Sequence, residues 1–115
     1  MGNVAGSSSY SEYFQADSEG IKCLKAGEVQ VHGLAFMATG FTAADIIHLR
    51  FVKNTSNFGG DVTIKMHNNA GGTIQNFAFT TVAAGDVIKL ALWNESGARG
   101  QIAASTINRI NIRYI

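Results

Sequence analysis

Apolar residues recur at every second position along most of this chain, and glycine interrupts each run. Val62, Ile64 and Met66 fall on one face of an extended segment, with Asp61, Thr63, Lys65 and His67 on the other. Ile88, Leu90 and Leu92 repeat the pattern, as do Ile110, Ile112 and Tyr114. A period of two is that of a half-buried β-strand, because successive side chains of an extended chain point to opposite sides. The apolar residues do not follow the three-to-four spacing of an amphipathic helix. Gly27, Gly40, Gly59-Gly60, Gly71-Gly72, Gly85, Gly97 and Gly100 separate the runs, as turns between strands do.

Asn68-Asn69-Ala70-Gly71-Gly72 reads as a hairpin loop, since Asn and Gly tolerate positive φ, with Phe77 and Phe79 pointing inward on the returning strand. Glu28 to Met37 and Asp45 to Lys53 are apolar on parts of both faces. In the second, Ile47, Leu49 and Phe51 alternate with Ile46, His48, Arg50 and Val52. Such a strand is covered twice, by its own domain or by a partner subunit, and the one within Asp45 to Lys53 is expected to be central in its sheet. Short runs at Glu12 to Gln15, Ile21 to Leu24 and Gly100 to Ser105 bring the total to about nine strands. A flat sheet that wide curls or splits, so the expected fold class is all-β, a two-sheet jelly-roll sandwich. It is expected to occupy 12–115, after a flexible leader or attachment segment over 1–11 that contains Ser7-Ser8-Ser9.

Composition narrows the function classes. The 115 residues are 46% hydrophobic and only 15% charged, with a net charge of +1, which suits one domain with one core and argues against disorder and against nucleic acid as a partner. No apolar run approaches the roughly 20 residues of a membrane-spanning helix, so no membrane insertion is expected. The start is small and polar, unlike a secretory signal, and Gly6 stands where a myristoylation motif needs Ser or Thr. The expected route is synthesis in the cytoplasm without a signal peptide. Cys23 is the single cysteine and has Ile21 and Leu24 beside it, so it reads as a buried, inert thiol.

Four stretches, in this order, carry a resemblance. They are Ile21-Lys22-Cys23-Leu24-Lys25-Ala26-Gly27-Glu28-Val29-Gln30-Val31, then Val52-Lys53-Asn54, then Val82-Ala83-Ala84-Gly85-Asp86-Val87-Ile88-Lys89-Leu90-Ala91-Leu92-Trp93-Asn94, and the closing Ile110-Asn111-Ile112-Arg113-Tyr114. Together they resemble the TNF-like jelly-roll superfamily that includes the complement globular-head domains, over about Tyr13 to Ile115. The resemblance implies a homotrimer of subunits packed side by side around a threefold axis. It also implies a non-enzymatic role, as a receptor ligand in animals or a fibre or receptor-binding module in bacteriophages. The chain shows no collagen-like stalk, membrane anchor, secretion signal or disulfide, which suits a phage or prophage structural or attachment protein at a virion or extracellular particle surface, or a bacterial module excised from a longer chain. Its partners would be itself, a larger virion assembly, and a host-surface glycan or protein. The alternative is a carbohydrate-binding or cell-adhesion module of the same fold.

Candidate chemistry is sparse. His32, His48 and His67 are at least sixteen residues apart, so the close histidine pair of a metal-binding cupin is absent. A two-histidine site across paired strands, from His32 and His48, stands against the plainer reading of polar residues on solvated faces. No Gly-x-Ser-x-Gly elbow supports a hydrolase. Asp45, Asp61 and Asp86 each read as standing at a strand start, as turn carboxylates. Asn54-Thr55-Ser56 and Asn94-Glu95-Ser96 match the glycosylation pattern by chance. Lys22, Lys25, Arg109 and Arg113 form a basic strip only where the first and last strands adjoin. No cofactor, metal or catalytic residue is expected. Leu34, Phe36, Ile46, Val52 and Trp93 are the candidates for a subunit interface, and Tyr10, Tyr13 and Trp93 for a ligand-stacking platform. Trp93 is assigned to the outward face because Ile88, Leu90 and Leu92 claim the core.

Overall fold

The computed structural model describes residues 4–7, 13–16, 20–37, 45–66, 72–95 and 106–115, and among them it contains nine strands and no helix. The strands are β1 (Val4–Ser7), β2 (Phe14–Ala16), β3 (Gly20–Cys23), β4 (Gly27–Met37), β5 (Ile46–Lys53), β6 (Ser56–Lys65), β7 (Gly72–Val82), β8 (Val87–Asn94) and β9 (Thr106–Tyr114). The first sheet has the order β1-β9-β4-β7 and the second β2-β3-β8-β5-β6. The pairs β3·β8, β4·β7 and β5·β6 nest one inside the next, all antiparallel. Nested pairing of this kind is a long ribbon wrapped over a core, the jelly-roll form of a β-sandwich. β5 sits between β8 and β6, the central place its two apolar faces predict. β1 lies inside the segment expected as a leader and runs parallel to β9. The rest of that segment, and the strand expected at 100–105, lie outside the described residues.

The core fills the space between the sheets. Val29, Val31, Ile110 and Ile74 from the first sheet meet Ile47, Leu49, Phe51 and Leu90 from the second, all at most 3% exposed. Gly33 faces inward on β4, where a Cβ would lie 2.5 Å from Leu90 Cδ1 and 2.8 Å from Phe51 Cε1. The missing side chain is therefore the space that these two large ones occupy.

Two expectations about β6 and β7 are corrected. They do not pair as a hairpin: β6 is laddered to β5 and β7 to β4, in different sheets, so the chain crosses between sheets there. Phe77 and Phe79 do not point inward. In the ladder with β4, Ile74 stands opposite Ala35, Ala78 opposite Val31 and Val82 opposite Gly27. Directly opposed residues share a face of the sheet, so burying Val31 and Ala35 commits the even-numbered residues of β7 to the core. Phe77 and Phe79 then point out, at 57% and 59% exposed.

Gly59-Gly60 does not end a strand either. In the β5–β6 ladder Leu49 opposes Val62 and Phe51 opposes Phe58, leaving Gly59, Gly60 and Asp61 against Arg50 alone. This is a bulge, and Gly59 carries it with a φ of 72°. Asn76, buried on β7, reaches across the sandwich and donates its Nδ2 hydrogens to the carbonyls of Gly60 at 2.7 Å and Leu49 at 3.2 Å. Asp61 therefore lies inside β6, not at a strand start.

The other end of the molecule is tied by the stretches that carry the resemblance. Asn54, in the β5–β6 turn with a φ of 57°, donates to Asp86 Oδ1 at 3.1 Å and accepts the Val87 N–H at 3.0 Å. Asp86 also accepts the Ala83 N–H at 2.8 Å. That backbone bond and the one from Asn54, with Lys53 nearby, outweigh desolvation and hold the Asp86 carboxyl below its ordinary range. Tyr114 stacks on Phe14 with ring centres 5.0 Å apart and donates its hydroxyl to the Lys25 carbonyl, joining β9 to the β2–β3 side of the second sheet.

Candidate functional site

The outer face of the first sheet is built from the odd-numbered residues of β7, the even-numbered residues of β4 and the odd-numbered residues of β9. Cross-strand register sets them in rows: Arg113, Gln30 and Phe79; Asn111, His32 and Phe77; Arg109, Leu34 and Gln75. Phe36 continues the β4 line at 44% exposed. At the middle, the His32 ring stacks on Phe77 with centres 4.3 Å apart. His32 Nε2 donates to Gln75 Oε1 at 3.0 Å while Nδ1 accepts from Asn111. The imidazole is thus fixed in plane and its apolar surroundings stay uncovered. Beside it a groove of about 450 Å³ is lined by Gln30, Phe79, Arg113, Tyr114 and Ile115, with Arg113 Nε donating to Gln30 Oε1 at 2.7 Å.

The outer face of the second sheet is of another kind. His48 on β5 opposes Trp93 on β8, and the rings stack with centres 4.7 Å apart and planes 4° from parallel. The Arg50 guanidinium lies 4.9 Å from the indole centre and 3.5 Å from Asp61. His48 Nδ1 lies 2.8 Å from Asp61 Oδ2, and Nε2 lies 2.5 Å from Glu95 Oε1. Desolvation alone would lower the His48 pKa. The hydrogen bonds to Asp61 and Glu95 and their two negative charges overcome it and raise the pKa above the ordinary histidine value. The face is half-buried by its own side chains.

Trp93 lies outward as the alternation of β8 predicts, with Ile88, Leu90 and Leu92 buried. The five interface candidates, however, divide between opposite faces: Leu34 and Phe36 on the first sheet, Ile46, Val52 and Trp93 on the second. Tyr13 and Trp93 do not form one platform. Tyr13 precedes β2 beside the start of β8, and Trp93 is six residues along β8, roughly 20 Å away at strand rise. Tyr13 packs edge-on against Tyr114, with Lys25 Nζ 5.0 Å above its ring. Tyr10 and His67 lie outside the described residues.

His32 and His48 stand on different sheets, so they form no shared metal site. Among the described residues no group of three His, Cys, Asp or Glu side chains is placed to hold a metal ion. Arg109 and Arg113 share the outer face of the first sheet while Lys22 is on the second, so the four basic residues form no strip. Both asparagines of the glycosylation pattern use their side-chain nitrogens internally, Asn54 on Asp86 and Asn94 on Asp45. Cys23 is fully buried, and desolvation with the nearby Asp86 charge pushes its pKa up to about 11, which makes it a poor nucleophile. Sequence reading missed Phe77 and Phe79 as surface residues. One signal was present: Thr73, Gln75 and Thr81 share their parity, so the polar members of β7 already mark that side as the outer one.

Comparison with known proteins finds no family model that matches this chain and no curated protein that matches it.

Proposed function

We propose that this protein is a non-enzymatic assembly module: a jelly-roll domain that associates with copies of itself through the outer face of its first sheet, as a structural or host-attachment component of a virion or prophage particle. The observation that carries the reading is the exposure of Phe36, Phe77 and Phe79 on one sheet face, around the anchored His32. Aromatic side chains there gain about 1.5–3 kcal/mol each on leaving water, and large exposed apolar side chains grouped on one face mark interaction sites. A homotrimer is the assembly implied by the resemblance of the four quoted stretches to the TNF-like superfamily, and Leu34 and Phe36 are its interface residues on this face, joined by Phe77 and Phe79. Sedimentation equilibrium of the full chain at micromolar concentration tests the reading: a trimer is expected, and a monomer overturns it.

A second reading, a carbohydrate-binding or adhesion module, is favoured by the groove beside Phe79, where an exposed ring meets the polar Gln30 and Arg113. Glycan binding that is lost in Phe79→Ala, in a protein that sediments as a monomer, would establish it instead.

A further inference from the structure

We propose that His48 is a pH-operated latch that holds the beginning of the β8–β9 connection against β5 and β6. Both ring nitrogens of His48 are within hydrogen-bond distance of a carboxylate oxygen, Asp61 on one side and Glu95 on the other. An ionised carboxylate only accepts hydrogen bonds, and a neutral imidazole carries one N–H. Only the imidazolium, with two N–H groups, satisfies both partners at once. Loss of one proton turns one of the two contacts into a lone pair facing a negative charge.

The contact that opens is the one to Glu95. Asp61 is set within the β6 ladder and keeps a second cation, Arg50, at 3.5 Å. Glu95 is more exposed and lies just past the end of β8, where its N–H donates to the Ile46 carbonyl at 3.0 Å. The charged groups on the elements around the ring are Arg50 from β5, Asp61 and Lys65 from β6, Lys89 from β8, and Glu95. The two acids are the ones that touch the imidazole. Their hydrogen bonds and charge raise the His48 pKa against the opposing pull of desolvation, so the latch stays closed to a higher pH than an ordinary histidine would allow and opens as pH rises through the raised pKa.

The molecule carries its own reporter. Trp93 is the single tryptophan and lies flat against the His48 ring, and a protonated imidazole quenches indole emission on contact. The test is a titration of the full chain from about pH 5 to about pH 10, following Trp93 emission, the His48 ring resonances, and exchange of the Glu95 amide corrected for its intrinsic rate. Emission is expected to rise with a midpoint above the ordinary histidine value of about 6.5. Glu95 amide protection is expected to fall through the same midpoint. His48→Gln should abolish the transition, and Glu95→Gln should move its midpoint down. Glu95→Gln alters an exposed side chain, so the test keeps its force even if His48→Gln does not fold. A midpoint at or below about 6.5, a transition that survives in His48→Gln, or a Glu95 amide whose protection is constant through the transition would each overturn the latch.

Discussion

The two outer faces of this sandwich start from similar materials and end in different states. Each has a histidine stacked on an aromatic residue of the neighbouring strand, His32 on Phe77 and His48 on Trp93. On the second sheet the aromatic ring also meets Arg50, and the histidine is held by Asp61 and Glu95, so the cluster is complete within one chain. On the first sheet the histidine is fixed by the neutral Gln75 and Asn111, while Phe36, Phe77 and Phe79 stay uncovered. A satisfied polar cluster stabilises the domain that owns it. An uncovered aromatic face gains only when something else covers it, and that difference is why the assembly reading rests on the first sheet.

The sharpest way to break the comparison is Phe77→Asp with Phe79→Asp. Under the proposed assembly, losing two exposed aromatic rings that the interface would cover in each subunit should weaken self-association by about a hundredfold or more, since about 1.4 kcal/mol is a factor of ten. The far-ultraviolet β spectrum should be unchanged, because neither residue is in the core; sedimentation and circular dichroism together check this. If association persists, the first sheet is not the interface.

Asn76→Ala acts inside the sandwich and should separate stability from assembly. It removes the donor shared by the Leu49 and Gly60 carbonyls and should cost about 1–3 kcal/mol in denaturant unfolding, with association of the folded protein intact. Trp93→Ala comes next. It removes the stack on His48 and the Arg50 contact, and should cost about 1 kcal/mol without changing the sedimentation of the protein. A Trp93→Ala variant that dissociates would move the interface to the second sheet, with Ile46 and Val52.

The smallest effect is a slope in stability with pH. The folded-state pKa of His48 lies above its unfolded value, so the stabilisation is fully present below about pH 6.5 and is lost as pH rises through the folded pKa. Asp86 has the opposite sign: its depressed pKa makes a contribution that is present above the unfolded carboxylate value and lost as pH falls. Denaturant midpoints measured across pH should therefore decline on both sides. His48→Gln should remove the part of the alkaline decline that sets in first, leaving the part at higher pH that comes from ionising Cys23, whose buried thiol is pushed up to about 11.

The amino-acid sequence by itself determined the all-β class, the central place of β5, and which residues of β8 and β9 face the core. Those follow from alternation, which is a property of the extended backbone and is written locally wherever one parity is clearly apolar, as in Ile88, Leu90 and Leu92. Tertiary structure decided the rest. In β7 both parities carry apolar residues, so the polar Thr73, Gln75 and Thr81 are the one local sign of the outer side, and it is the ladder with Val31 and Ala35 that turns Ala78 rather than Phe77 inward. Gly59-Gly60 looks the same in sequence whether it ends a strand or bulges one, and the carbonyl there is met by Asn76, sixteen residues past Gly60. His48 meets Asp61 and Glu95 across separations of 13 and 47 residues. Contacts of that range depend on which strands become neighbours, and that is settled when the ribbon folds over its core.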